Sequence, residues 1–396
     1  MTKRALGVLI ACFCTLFITY SIRYGYGILL PGMLVTLAIS KTEAGIISAA
    51  YFIAYTICSP VLGLMGDRFN SRVLISVFTG ILGTGALLMA YADSVVEASL
   101  YFALAGVGAS ACWAPVVALA QRWVSPGRRG TAVALIDVGT SLGIVWMGTV
   151  GPGIVTAFGW EAGWMSLGAL GLLVASINFI LMRNQPSEQS VLQSTHSGRS
   201  ADISLLALYS SLIHNGKFWL FGVAYMLSGF AILIPFTFLS TYAVEELSLS
   251  YGASANLFIV IGIVAGVGKI GLGALSDKTG RIEMIILSTL LIVIGTLGMA
   301  YAGGFLALAL LTIVFSFGYG AIWSLYAAAA ADYFSRELAG SIVGLWTMYL
   351  GVGSILSPII AGRIADTTGT LTWSFIVAAA GAVMALVLLL LLWKGK

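Results

Sequence analysis

Three ionisable residues stand deep inside apolar runs of the chain: Arg23, Asp137 and Lys269. A charge at the centre of a membrane helix costs ~2.5 to 3.5 kcal/mol on the insertion scale, so the three together carry of order 8 to 10 kcal/mol before pairing or hydration. Such residues need a reason. Arg23 stands 18 residues into an apolar stretch of about 33, which at ~1.5 Å per residue puts it close to mid-membrane. Its guanidinium is a planar fork suited to a carboxylate, and its depth disfavours the alternative of snorkelling to lipid phosphate. Lys269 lies eight residues before Asp277, ~12 Å from the end of its helix, and leans toward the midplane because helical side chains lean toward their own N-terminus. Asp137 is the one deeply placed carboxylate. Two readings stay open for it: an ion pair with a corner arginine, Arg68 or Arg72, or a group that takes up a proton during turnover. With Asp137 ionised the three charges sum to +1, which suits a monocarboxylate; with it protonated they sum to +2, which suits a dianion. Around them Tyr24, Tyr26, Trp113, Tyr225, Trp323, Tyr326, Trp346 and Tyr349 are candidates for an aromatic wall, although packing or a lipid-facing position is the default for any one of them.

The elements that must position these residues are membrane helices. The chain is 60% hydrophobic and only 9% charged, against about 25% charged in soluble globular domains. Twelve apolar windows of ~20 residues or more use nearly all of its length, so an all-α, multi-pass membrane protein is expected with no room for a catalytic domain. Of the 19 bases, fifteen fall on the side of the two termini, two (Lys41 and Arg363) on the other, and Arg23 and Lys269 within spans. The positive-inside rule then puts both termini in the cytoplasm, and the basic balance implies contact with anionic lipid and not with nucleic acid. The one long polar stretch, 183–215, holds both histidines, His196 and His214. It reads as a cytoplasmic linker between an N-terminal six-helix bundle, 1–182, and a C-terminal one, 216–396. With both histidines there, no Ser–His pair and no Gly-rich phosphate loop, an enzyme is not indicated. Cys12, Cys14, Cys58 and Cys112 lie within apolar runs and indicate neither disulfide nor metal site; no cofactor is implied.

The halves repeat. Asp67 and Asp277 are 210 apart, and the same offset pairs Trp113 with Trp323, Ser125 with Ser335 and Gly143 with Gly353; in the first helices an offset of 204 pairs Tyr26–Pro31 with Phe230–Pro235. Parallel halves of this kind enclose a site near the bilayer midplane and rock against each other. At these offsets the counterparts of Arg23, Asp137 and Lys269 are Leu227, Thr347 and Ser59, all uncharged. The shared fold therefore does not require the three charges.

The repeat includes a pattern that carries a family resemblance. Gly63-Leu-Met-Gly-Asp67-Arg68-Phe-Asn-Ser-Arg72 and Gly273-Ala-Leu-Ser-Asp277-Lys278-Thr-Gly-Arg281 resemble the loops between helices 2 and 3 and between helices 8 and 9 of the major facilitator superfamily, over the whole chain. The resemblance implies twelve helices in two pseudo-symmetric bundles, usually a monomer, in the plasma membrane of a bacterium or archaeon. Gly63, Asp67, Arg68, Arg72, Asp277, Lys278 and Arg281 are expected to form latches at the cytoplasmic corners. Tyr20-Ser-Ile-Arg23 followed by Pro31 resembles the first helix of organic anion symporters, with Ile22 where an acid is usual. Lys269 eight positions before Asp277 resembles helix 8 of monocarboxylate and oxalate/formate carriers, where arginine contacts a carboxylate. The expected function is secondary active transport of a small organic anion, a mono- or dicarboxylate, with a proton or counter-anion as co-transported partner. The rival is proton-coupled efflux of lipophilic drugs, against which two buried bases argue.

Overall fold

In hydrocarbon every backbone N–H and C=O must be satisfied within the segment, so long apolar runs fold as helices. The structure, a computed structural model, describes residues 3–183, 214–334 and 339–394, and at 63–68, 126 and 339–341 the backbone alone. The helices are α1 (Lys3–Thr36), α2 (Lys41–Arg68), α3 (Ser71–Met89), α4 (Val95–Ala109), α5 (Ala114–Arg122) and α6 (Arg129–Leu181), then α7 (Gly216–Glu245), α8 (Tyr251–Thr279), α9 (Arg281–Met299), α10 (Phe305–Tyr333), α11 (Ala339–Thr368) and α12 (Thr372–Lys394). Helices α4 and α5 form one interrupted crossing. Helix α6, at 53 residues, is two crossings joined at Gly159, whose φ of 83° and ψ of 169° are not helical. A left-handed φ is open to glycine at little cost, and it turns the chain back at the membrane surface. The described residues thus make twelve crossings in two bundles, as the repeat requires. Most of the linker, including His196, lies outside the described residues.

Within the first bundle α6 packs on α1 and α3, and α4 on α2 and α3; within the second α10 packs on α8 and α9, and α7 on α11 and α12. The bundles meet along three seams: α1 with α7, α2 with α11, and the first part of α6 with α8. All three are close because glycine lies in them. A Cβ on Gly27 would meet the Phe236 carbonyl, one on Gly45 the Pro358 carbonyl, and one on Gly262 the Ser141 carbonyl and Val145. Small residues are how membrane helices gain contact without a hydrophobic driving force between them.

At the end of the molecule away from the termini, the bundles are clasped. Asp366 near the end of α11 accepts from the backbone N–H of Lys41 at 3.0 Å, the N–H of Thr42 at 2.8 Å and the Thr42 hydroxyl at 2.5 Å. These are orphan donors at the N-terminus of α2, where an anion is also favoured by the helix dipole. Lys41 pairs in turn with Glu245 at 2.9 Å, and the Tyr251 hydroxyl donates to the Ile28 carbonyl at 2.7 Å.

Candidate transport site

The bundles enclose a cavity of about 390 Å³, within the ~300–1,000 Å³ range of small-molecule sites. Its walls are α1, α2, the α4–α5 break and α6 on one side, and α7, α8, α10 and α11 on the other.

Arg23 is on this wall. Its Nε donates to the Tyr51 hydroxyl at 3.1 Å. The rings of Tyr55, Tyr20, Tyr51 and Phe52 have their centroids 4.6, 5.0, 5.4 and 5.8 Å from the guanidinium carbon. Ring faces attract a cation by ~0.5 to 2 kcal/mol each, so the charge is held without an acid: among the described residues no carboxylate lies within ion-pair distance of Arg23.

Lys269 is held differently. Its Nζ lies 2.5 Å from Asp137 Oδ2, across the seam between α6 and α8. The antiparallel register explains this, for Gly262 lies against Val145 and Gly266 against Ser141, which carries Lys269 to Asp137 one turn further on. The expected corner pairing of Asp137 with Arg68 or Arg72 gives way to this one. Arg72 donates from Nε to the Phe179 carbonyl at 2.6 Å and lies over that residue's ring, and the side chain of Arg68 lies outside the described residues. The Thr140 hydroxyl donates to Asp137 Oδ1 at 3.2 Å as well as to its carbonyl. The lysine and aspartate side chains are 31% and 16% exposed, so the pair borders the cavity and is not sealed in the core. The three charges on the wall sum to +1.

Of the expected aromatic wall, Tyr24, Trp113, Tyr225 and Trp323 line the cavity. Tyr24 stacks on Phe236 of the other bundle at 3.9 Å between centroids and receives the Tyr319 hydroxyl at 3.5 Å. Trp113 is brought to the wall by the α4–α5 break, where it caps α5 and Pro115 occupies the first turn, a position in which proline's missing N–H is harmless. Tyr26, Tyr326 and Trp346 are not on the wall. Tyr26 is two residues and so about 200° around the helix from Tyr24, and donates its hydroxyl to the Ala44 carbonyl at 2.7 Å. Trp346 sits off the Val343–Thr347–Leu350–Ser354 stripe that faces the cavity, and its Nε1 donates to the Phe218 carbonyl at 3.1 Å. Tyr326 is buried against Tyr225 at 4.6 Å. Tyr349 stacks edge-on to Trp219 outside the cavity. Tyr51, Tyr55 and Tyr319 were not singled out from the sequence; the signal for the first two was an aromatic cluster at helical spacing, Tyr51-Phe52-Tyr55.

The two motif corners sit at the end opposite Asp366. Asn70 caps α3, accepting from the N–H groups of Arg72 and Val73; its φ of −60° needs no glycine, whereas Gly280 in the second copy has φ 109°. Asp277 pairs with Arg281 at 2.5 Å, and Arg281 also reaches Asp332 at 3.6 Å. Lys278 is exposed. The side chains of Gly63 to Arg68, and so of Asp67, lie outside the described residues.

Twelve crossings in two matched bundles around a charged central cavity define a multi-pass membrane transporter. The chain belongs to the Major Facilitator Superfamily, whose sequence profile matches residues 12–358 and 272–396. It is 25% identical over 405 aligned residues to the hexuronate transporter of Bacillus subtilis (strain 168), covering 97% of this chain and 93% of that one. It is 23% identical over 365 residues to monocarboxylate transporter 12 of Homo sapiens, covering 84% and 69% respectively. Among solved structures, that of the nucleoside transporter NupG superposes with a TM-score of 0.79 at 16% identity, covering 100% of each chain; at that identity the likeness is one of fold. These proteins are transporters and not enzymes.

Proposed function

We propose that the protein carries a small organic anion, a carboxylate, across the plasma membrane by alternating access. The observation that carries this reading is Arg23: a guanidinium held on the cavity wall by tyrosines, with no carboxylate partner among the described residues, beside a Lys269–Asp137 pair that leaves the wall at +1. An arginine fork so placed presents paired donors to a carboxylate. Relatives named for hexuronate and monocarboxylates point the same way. In this scheme Asp137 is the group that takes a proton, Lys269 is the second anchor, and Asp67 and Asp277 with their neighbouring bases latch the end bearing the termini, which faces the cytoplasm with the 183–215 linker. The clasp at Asp366 then marks a state closed to the outside.

The test is uptake of labelled carboxylates into proteoliposomes, with and without a pH gradient, by the wild type and by the Arg23→Gln, Lys269→Gln double variant. Loss of charge-assisted hydrogen bonds worth at least ~2 kcal/mol lowers affinity roughly 30-fold. Equal affinity in the two proteins would reject the anion reading and favour efflux of lipophilic compounds.

A further inference from the structure

The cavity wall has two kinds of surface, and they follow the internal repeat differently. The charges break it: Arg23 answers to Leu227, and Asp137 to Thr347, which also lines the cavity. The tryptophans obey it. Trp113 from the first bundle and Trp323 from the second stand 210 residues apart, and both line the same cavity. Trp323 is set edge-on between Tyr225 and Tyr319, with ring centroids 5.3 and 6.4 Å away and interplanar angles of 81° and 82°. Trp113 lies 6.4 Å from Tyr20, which belongs to the ring cluster around Arg23. Eight aromatic side chains line this cavity, against three charged ones. Among the described residues on the wall none is Asn, Gln or His.

That composition bears on what the carboxylate is attached to. A polyhydroxylated acid brings a hydroxyl on nearly every carbon, and each one left unpaired on leaving water weakens binding by of order tenfold. The side chains that best match vicinal hydroxyls, amides and spare carboxylates, are missing from the wall. Three of the aliphatic hydroxyls donate to their own helices, Thr140 to the Asp137 carbonyl, Ser324 to the Ala321 carbonyl and Thr347 to the Val343 carbonyl. That leaves few to pair a run of vicinal hydroxyls, the Thr56 hydroxyl, unpartnered among the described residues, and the scattered tyrosine hydroxyls among them. A dicarboxylate is matched only when Asp137 has taken up a proton; with the Lys269–Asp137 pair intact, as it stands in this structure, one positive charge remains for one carboxylate. Ring faces and edges, by contrast, gain from offset or edge-to-face contact with another ring, and rings set perpendicular to one another offer both.

Resting on the anion reading above, we infer that the substrate is an aryl monocarboxylate: one carboxylate for Arg23 and a flat apolar body received by Trp113 and Trp323, one indole from each bundle. This separates the chain in specificity from a carrier of sugar acids. Arg23 fixes the head, and the repeat-related tryptophans select the body.

The experiment is calorimetric titration of the purified full-length protein with benzoate, glucuronate, succinate and acetate, repeated on Arg23→Gln and Trp323→Ala. Benzoate is expected to bind at least tenfold more tightly than each of the other three. Trp323→Ala is expected to narrow the benzoate-to-acetate ratio at least fivefold. Glucuronate or succinate binding as tightly as benzoate in the wild type would overturn the inference and leave the anion reading standing, a result that needs no variant to fold. An equal loss for benzoate and acetate in Trp323→Ala would overturn the role of that indole. If no acid bound the wild type more tightly than Arg23→Gln, both readings would fall together.

Discussion

Replacing Asp366 with alanine should open the end of the molecule that this residue now closes. Its carboxylate accepts three hydrogen bonds from the start of α2, two from backbone N–H groups and one from the Thr42 hydroxyl, and no other helix end in the α2–α11 seam is held this way among the described residues. Charge-assisted hydrogen bonds are worth ~1.5 to 3 kcal/mol and an N-cap ~0.5 to 2 kcal/mol. Both must be discounted here because Asp366 is exposed and water can replace it. A net contribution of about 1.5 to 2 kcal/mol corresponds to a shift of roughly 10- to 30-fold between the state clasped at this end and the state open there. Spin labels at Asp93 and Gly303, on loops of opposite bundles at that end, would report the populations as two distance peaks. Asp366→Ala should move weight to the longer distance, while Lys41→Ala, which removes the ion pair with Glu245 and the positive charge near Asp366 but keeps the hydrogen bonds to that carboxylate, should move it by a smaller factor. An unchanged distribution in Asp366→Ala would refute the reasoning, since the residue would then be a cap for α2 and nothing more.

Three further outcomes can be checked. Asp137→Asn leaves Lys269 without its partner and raises the charge on the wall from +1 to +2, so competition assays should show the preference for dianions over monoanions rising at least about tenfold, the lower end of the scale of one hydrogen bond to a charge. Gly262→Leu places a side chain where even a Cβ would lie 2.8 Å from the Ser141 carbonyl, and should cut uptake by more than about tenfold while circular dichroism shows the helices intact, the overpacking cost being of order 1 to 3 kcal/mol. Asp67→Asn should raise labelling of cysteines introduced on the cavity wall from the side that bears the termini and slow transport without abolishing binding; complete loss of binding in a folded protein would count against a latch.

The helices were legible because hydrocarbon imposes one rule on every segment, and the twelve windows and the 210-residue offset follow from it. The turn inside α6 was legible too, as a gap between windows that falls at Gly159, whose backbone leaves the helical region. The rotation of each helix was not. A span apolar all round carries no stripe that says which face meets protein, so Tyr26, Tyr326 and Trp346 looked equivalent to Tyr24 and Trp323 until packing separated them. Arg23, Asp137 and Lys269 could be picked out because their energetic penalty is independent of rotation. That Lys269 meets Asp137 was hidden, because it depends on the register between two helices 132 residues apart in the chain, and that register is set by glycines with no chemistry of their own.

The glycine-lined seams have a kinetic consequence. Where backbone lies directly on backbone, as Gly27 does on Phe236 and Gly45 on Pro358, few side chains interlock, the Tyr24–Phe236 stack being one that must part for one bundle to slide on the other. The contact is then a sum of small dispersion terms of about 0.1 to 0.2 kcal/mol per atom pair, nearly constant along the path. Under the alternating access proposed above, seam geometry sets how fast the bundles exchange positions, in both directions alike. Which position is favoured is decided at the two ends and in the cavity, where the discrete polar contacts are. Substitutions in the seams should therefore slow forward and reverse exchange by the same factor, and substitutions at Asp366 or Arg23 should change their ratio.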